Sequence, residues 1–464
     1  MATAGTSLPH GRPLSCTPYY PRLHEVYTFD SVFEDLKYSQ HALTTSFIVT
    51  LAAEDISITS YPDGGLQAWL VVLGSWACMI TSMGLLNTMA VLQARLSENE
   101  LKHLPESTIG WILSSYAFFL YFCGAQVGPI FDAYDVKYLV IPGSIGIVIS
   151  MMLIGLCKEF YQFFLCFGLL GGASASLLFN PAIAIIGHYF DKRRALATGI
   201  ACTAGGLGGI LFPIIILYLT PEIGFPWATR VIAFICLAMG CLAVALMKNR
   251  LPDNKNTSIR PGSAIDLAAL RDPKYALTTL AVFLVEFAVF IPYTYISSYA
   301  IHAGMPTQRA YLLNALVNVG AIPGRALPGY AADRFGAFNI LALTAATCAA
   351  LIFALWYTAA TNEAEIYSFT VLYGFWSGAA ISVTPVCISR VCNIEDIGKR
   401  TGTAFFIASF GVLIGLPIAG AIIKAENGSY NGVIVFAGCF YAATVATLYI
   451  ARGVAAGWGL RVIF

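Results

Sequence analysis

Two ionisable residues stand deep inside long apolar runs of this chain, Glu286 and Arg325. A charge in such surroundings is expensive, so each is a functional candidate in its own right. The chemistry open to them is charge pairing and, for Glu286, the uptake and release of a proton. At about 100° per residue, Asn314, Asn318 and Arg325 fall within about 40° of one another around a helix, and Glu286 shares a face with Tyr293, seven residues on. The two polar stripes are expected to line a central cavity; the alternative is a static Glu286–Arg325 pair or hydrogen bonds to neighbouring helices. Asn180, followed by Pro181, reads as a polar kink that exposes backbone carbonyls. Tyr116 and Tyr293 offer aromatic surface with a hydroxyl handle, and Trp376, Ser382 and Thr384 can face the same space, although a tryptophan there more often packs than binds. Enzymatic constellations are missing from the sequence. The six histidines are too dispersed for an HxxxH or HExxH metal pair, and neither a GxSxG elbow nor a GxxxxGK[ST] phosphate loop occurs. Neither an enzyme nor a metal or other cofactor is expected.

The elements that must position these residues follow from composition. Of 464 residues, 58% are hydrophobic and 11% charged, too little polar surface to coat soluble domains of this size. The chain therefore reads as an all-α membrane protein whose partners are the lipid bilayer and a small molecule. A net charge of +1 provides no field to attract nucleic acid. Ten of the 12 cysteines lie in apolar runs and read as small buried hydrophobes. No cleavable signal is evident, so the first span is expected to direct insertion.

Hydropathy over about 20 residues predicts twelve spans. They lie near 68–92, 108–130, 138–157, 160–187, 195–220 and 228–247, then near 275–298, 310–331, 338–358, 366–388, 401–423 and 432–451. The expected organisation is a disordered cytoplasmic tail (1–66), a six-helix bundle (67–247), a central cytoplasmic loop (248–274), a second six-helix bundle (275–451) and a short cytoplasmic tail (452–464). Even-numbered loops carry 14 Lys and Arg against 5 in odd-numbered ones, which predicts that even loops are cytoplasmic. Asn427, in the sequon Asn427-Gly428-Ser429 of the last odd loop, is then a glycosylation candidate, whereas Asn256 in the central loop is not.

An internal repeat supports six plus six. Gly168, Gly172 and Ser176 recur 206 residues later as Gly374, Gly378 and Ser382, and Arg194 and Gly205 recur as Arg400 and Gly411 at the same offset. Gly128 and Asp132 recur as Gly329 and Asp333 at an offset of 201. Asp132 with Lys137, and Asp333 with Arg334, sit at span ends, where basic residues of neighbouring ends can pair with the carboxylates in one state and release them in another. That makes them candidate conformational latches; the alternative is solvated loop carboxylates. Gly199, Gly205, Gly206, Gly208 and Gly209 allow helices to approach and slide, or simply to pack.

Parallel six-helix repeats are the architecture of major facilitator transporters, which bind substrate between the halves. The sequence resembles the fungal monocarboxylate-transporter-like branch of that superfamily over about residues 62–451. Pro62-Asp63-Gly64-Gly65-Leu66-Gln67-Ala68-Trp69 looks like its first-span motif, and Tyr189-Phe190-Asp191-Lys192-Arg193-Arg194-Ala195-Leu196-Ala197-Thr198-Gly199 is similar to its fifth-span signature. The resemblance implies a gradient-driven transporter, with a co-transported proton possible, in which Arg325 engages a substrate carboxylate; a guanidinium grips one through two parallel N–H donors. Two positions depart from the pattern. Ala321 replaces the acid one turn before the arginine, and Asn87 stands at the first-span lysine position. The expectation shifts accordingly from simple monocarboxylate uptake to export, across the plasma membrane, of a larger organic-acid-like metabolite, with uptake of a monocarboxylate or vitamin-like nutrient as the alternative. A non-transporting sensor on the same scaffold would be expected to carry a long folded extension, and only residues 452–464 follow the last span.

Overall fold

The computed structural model describes residues 61–250, 265–393 and 396–457. Residues 1–60, 251–264, 394–395 and 458–464 lie outside it, so the expected disordered tail and most of the central loop and short C-terminal tail fall on residues not described. The described chain is helical and without strands: α1 (Leu66–Asn87, resumed past Thr88 as Met89–Glu98), α2 (Glu106–Phe122 and Gly124–Ala133), α3 (Lys137–Ile154), α4 (Phe160–Phe163 and Gly172–Tyr189, joined by a π-helical turn Phe164–Gly171), α5 (Arg194–Ile223) and α6 (Phe225–Leu246). After a short 3-10 turn at Leu267–Arg271 come α7 (Pro273–His302), α8 (Thr307–Phe335), α9 (Ala337–Leu351, ending in a π-helical turn Ile352–Trp356), α10 (Glu363–Arg390), α11 (Ile397–Ala425) and α12 (Asn431–Ala456).

Local chemistry sets several of these ends. Pro273 opens α7, where the Asp272 side chain accepts the Lys274 N–H at 3.0 Å; the Asn362 side chain caps α10 through the Ala364 N–H at 3.1 Å. Gly224 (φ 82°) and Gly336 (φ 91°) let α5 turn directly into α6 and α8 into α9.

Eleven of the described helices are long and apolar enough to cross a membrane, so the protein is a multi-pass membrane protein. The remaining long helix is α8, 29 residues with two asparagines, two internal prolines and three arginines. Its polarity is tolerated because neighbouring helices keep much of it from lipid. On one side Gly320 and Gly324 meet the α10 backbone at Val371 and Phe375; on the other, Gly199 of α5 lies against the Arg325 carbonyl. Helices facing lipid look different. In α3, Ile141, Ile145, Ile149 and Leu153, four apart, are all exposed, while Leu139, Gly143, Ile147 and Met151 are buried, the reverse of what a water-facing helix would show.

The internal repeat has a packing cause. A Cβ on Gly172 would fall 2.7 Å from the Tyr116 carbonyl, so α4 packs backbone to backbone on α2; Gly374 and Gly378 bring α10 onto α8 at Val317 and Ala321 in the same manner. Buried side chains form two apolar clusters, one drawn mainly from α1–α6 and one from α7–α12. Replacing Gly172 with Val should overpack the α2–α4 crossing and cost about 1–3 kcal/mol, lowering the apparent melting temperature in detergent. Gly110→Ala, with nothing within 4 Å of a Cβ there, should leave it unchanged.

Candidate functional site

Arg325 is 1% exposed and reaches from α8 across to α5. Its Nη1 donates to the Cys202 carbonyl at 2.7 Å, and Gly205 leaves the room the guanidinium occupies, because a Cβ there would fall 2.6 Å from Nη1. Nε and Nη2 are buried with no partner at hydrogen-bond geometry, the Tyr293 hydroxyl being close enough to the guanidinium to interact with it. These two N–H groups form one edge of the guanidinium, the edge that grips a carboxylate in parallel. Around it, the Tyr293 hydroxyl accepts from Ser377 Oγ at 3.4 Å and lies within electrostatic reach of Arg325. Two turns earlier in α8, Asn318 donates to the Asn314 carbonyl at 2.9 Å, while its Oδ1 is buried without a partner against Gly209 of α5. Asn87 donates to the Gly205 carbonyl at 2.9 Å. Asn87 thus ties α1 to the segment of α5 that receives Arg325.

Glu286 is 1% exposed, and no ion pair joins it to Arg325 among the described residues. It accepts a hydrogen bond at 3.3 Å from Tyr121 of α2, whose ring stacks on Phe405 of α11 with centroids 5.1 Å apart. Tyr121 was not legible as a partner, yet a signal existed. Spaced 7 and 11 residues before Gly128 and Asp132, it shares a helical face with both at about 100° per residue. The remaining candidates are placed elsewhere. Tyr116 donates to the Ser82 carbonyl at 2.9 Å and stacks on Phe167 within the first half. Asn180 turns back onto Ser176 and abuts Gly124 of α2, leaving Oδ1 unpartnered. Trp376 packs edge-on against Phe375, and Ser382 donates to the Arg325 carbonyl at 3.1 Å. Asn427 is exposed, with φ 57°, in the α11–α12 turn.

At the end of the molecule that carries the basic even loops, the halves are held together by carboxylates. Asp132, closing α2, accepts the Gly398 and Lys399 N–H groups at 3.0 and 2.7 Å, at the start of α11. Asp333, closing α8, accepts those of Ala195 and Leu196 at 2.9 and 2.8 Å, at the start of α5. The partners are backbone amides rather than the basic side chains anticipated. The first N–H groups of a helix lack intrahelical acceptors and carry the positive end of its dipole, so a carboxylate satisfies both. Lys137 and Arg334 do not form ion pairs with these aspartates; Arg334 lies over the Tyr330 ring at 4.5 Å. Backbone contact accompanies the caps: Gly128 meets Gly398, and Gly329 meets the Ala195 carbonyl. Arg390 of α10 adds a clamp on Asp191 in the α4–α5 connection, at 2.9 Å to the carboxylate and 2.8 Å to the carbonyl. Below these contacts a small cleft is lined by Ile183, Gly187, Arg194, Thr198, Val386 and Ser389, among others.

Two helical halves closed at one end around a buried polar centre are the layout of a carrier, and the sequence profile of the Major Facilitator Superfamily matches residues 69–393. The chain belongs to the Major Facilitator Superfamily. It is 36% identical over 378 residues to the aspyridones efflux protein apdF of Emericella nidulans, covering 81% of this chain and 76% of that one. To the riboflavin transporter MCH5 of Saccharomyces cerevisiae it is 33% identical over 425 residues, covering 86% and 81%. Among solved structures it resembles the human organic anion transporter MFSD10, with a TM-score of 0.68 at 15% identity, over 82% of this chain and 98% of that one. As a member of this superfamily the protein is a secondary-active transporter of small molecules that works by alternating access, not an enzyme. In such a cycle the Asp132 and Asp333 caps belong to the state closed at the basic end. Asp132→Ala and Asp333→Ala should each remove about 1–2 kcal/mol from that state, read as a lower apparent melting temperature in detergent; the corresponding Asn variants, which keep an acceptor, should fall less. Wild-type melting in both alanine variants would show that the caps carry no stability.

Proposed function

We propose that the chain is a twelve-span transporter of the fungal monocarboxylate-transporter-like branch, built as two six-helix bundles with the basic end in the cytoplasm, that exports an organic-acid-like metabolite across the plasma membrane. The observation that carries the substrate class is the free edge of Arg325. A buried guanidinium with one N–H held by Cys202 and two unpartnered is costly unless an anion completes it. A carboxylate, or another acidic group with two oxygens side by side, fits that edge.

The surroundings favour a sizeable, partly apolar molecule. Phe118 and Phe122 of α2 meet Phe406 and Phe410 of α11 in ring contacts 4.9–6.2 Å apart, an aromatic wall suited to a planar or greasy body. A relative described as an efflux protein supports export. The alternative, uptake of a monocarboxylate or vitamin-like nutrient, is favoured by the relative described as a riboflavin transporter. Glu286, buried with a single hydroxyl donor at 3.3 Å and no cation paired to it, is the proposed proton-coupling carboxyl. Asn318 and Tyr293 contribute polar contacts beside Arg325, with Asn314 and Trp376 at the margin; Asn180 and Tyr116 act indirectly, through helix packing. Asn427, exposed at the opposite end from the basic loops, is the proposed glycosylation site.

Comparison of cells with and without the protein tests direction: lower internal levels of the transported acid when it is present are expected, and higher ones would mean uptake. Arg325→Ala should reduce transport of anionic substrates at least about 100-fold while the protein still reaches the membrane, because a charge-assisted bidentate contact is lost; wild-type flux would refute the anion clamp. Glu286→Gln, which cannot exchange a proton, should flatten the pH dependence of flux. An unchanged pH profile would assign Glu286 to structure.

A further inference from the structure

The two sequence signatures used to recognise the branch, around Asp63 and around Tyr189–Gly199, lie more than 120 residues apart in the chain and meet in space. Asp63 Oδ1 accepts the N–H groups of Asp191 and Lys192 at 2.7 and 2.8 Å, and the Asp63 N–H donates to the Tyr189 carbonyl at 3.0 Å. The preceding Tyr61 presents its ring to Arg194 at 5.6 Å and to Arg250 at 5.7 Å. Asp63 holds a left-handed φ of 48°, uncommon outside glycine, and Gly65 follows at 87°. The turn is wound to aim one carboxylate at the α4–α5 connection, and three hydrogen bonds keep it there.

What that connection carries is the clamp between the halves. Arg390 of α10 takes both the carboxylate and the carbonyl of Asp191, and Arg194 lies 3.7 Å from the same carboxylate. The Asp191 side chain is 41% exposed, and an exposed ion pair contributes little when both partners must be ordered to make it. This pair differs because Asp191 is already fixed from its other side. Its N–H and that of Lys192 are held by Asp63, so Arg390 meets a preset pair of oxygens.

We infer that Asp63 is a positioning residue: by clasping the α4–α5 connection it presents Asp191 to Arg390, so that the segment leading into α1 sets how firmly the basic end closes. The inference rests on the alternating-access reading and deepens it, placing regulation of the cycle in a contact remote from the substrate.

The test needs no substrate. Val386, buried in the cleft beneath the clamp, is replaced by cysteine in the full-length protein, and its labelling by a small hydrophilic maleimide is measured in detergent against the same chain without that replacement. Both Asp63→Ala and Arg390→Ala should raise the labelling rate, by about fivefold each for the loss of charge-assisted hydrogen bonds. The double variant should label no faster than Arg390→Ala alone, since the two act through one contact. Labelling that rises in Arg390→Ala but not in Asp63→Ala, or effects that add, would overturn the clasp while leaving alternating access standing. Labelling that rises in neither would overturn the clamp on which both depend. Should Asp63→Ala not reach the membrane, Asp63→Asn carries the test: it keeps the acceptor without the charge and should label about twofold faster, and a wild-type rate would refute the proposal.

Discussion

Helices α5 and α11 begin at the interface between the two halves, and their first N–H groups cannot be satisfied within their own helices. Each finds its acceptor in the other half, α11 in Asp132 and α5 in Asp333. Most of the architecture at that end follows. A carboxylate can reach a helix N-terminus only if the two backbones come close, which requires Gly128 opposite Gly398 and Gly329 opposite Ala195. The contact must also be separable in an alternating-access cycle, and amide donors suit that role: once the halves part, water replaces the carboxylate at the helix start without leaving a buried charge behind.

The same economy does not extend to the centre. Arg325 commits one donor to the Cys202 carbonyl across the interface and leaves an edge unsatisfied, and Glu286 accepts from Tyr121 of the opposite half. Both contacts join the halves, so neither group keeps its surroundings when the halves move. An anion bound at Arg325 would, on the proposed reading, compete with, or complete, the contacts that hold the closed state, as an occupant with different affinity for two states shifts their populations. On the proposed reading, substrate and proton would act through the same few inter-half hydrogen bonds.

Much of this was legible in the sequence. Hydropathy located the described long helices to within several residues, and the six-plus-six repeat corresponds to like crossings, α4 on α2 and α10 on α8. The eighth segment, among the twelve spans hydropathy predicts, is a long helix that is more polar than the eleven others. Ends were less legible. Thr88 interrupts α1, and π-helical turns interrupt α4 and α9, where backbone hydrogen bonding departs from a pattern that side-chain hydropathy follows. The burial of Arg325 was inferred correctly, but its partner is a carbonyl, and every residue has one. The backbone partners of Asp132 and Asp333 were not legible for the same reason: backbone donors leave no mark on composition. Tyr116 and Asn180 have the polarity of ligand contacts and spend it on neighbouring helices, a choice fixed by the direction each helix face points after packing.

The two seams between the halves are built of different material. Along α5 and α8, Gly199, Gly205, Gly206 and Gly209 face α8, so the helices stay close from the Arg325 carbonyl to Asn318. Along α2 and α11, close contact ends near Gly124 and Gly402, and beyond it the space is filled by rings: Tyr121 on Phe405, Phe122 on Phe406, and Phe410 across from Phe118. Rings that part lose dispersion and apolar burial, and of those named here Tyr121, through its hydroxyl on Glu286, gives up a hydrogen bond. Parting α5 from α8 exposes the Cys202 carbonyl and the Arg325 guanidinium, which then need water or a ligand. A cycle that moves the halves can open the aromatic seam at the polar cost of one hydrogen bond, Tyr121 to Glu286, whereas opening the glycine seam depends on something to satisfy Arg325. On the proposed reading an acidic substrate would supply that, tying the movement of the polar seam to the presence of cargo.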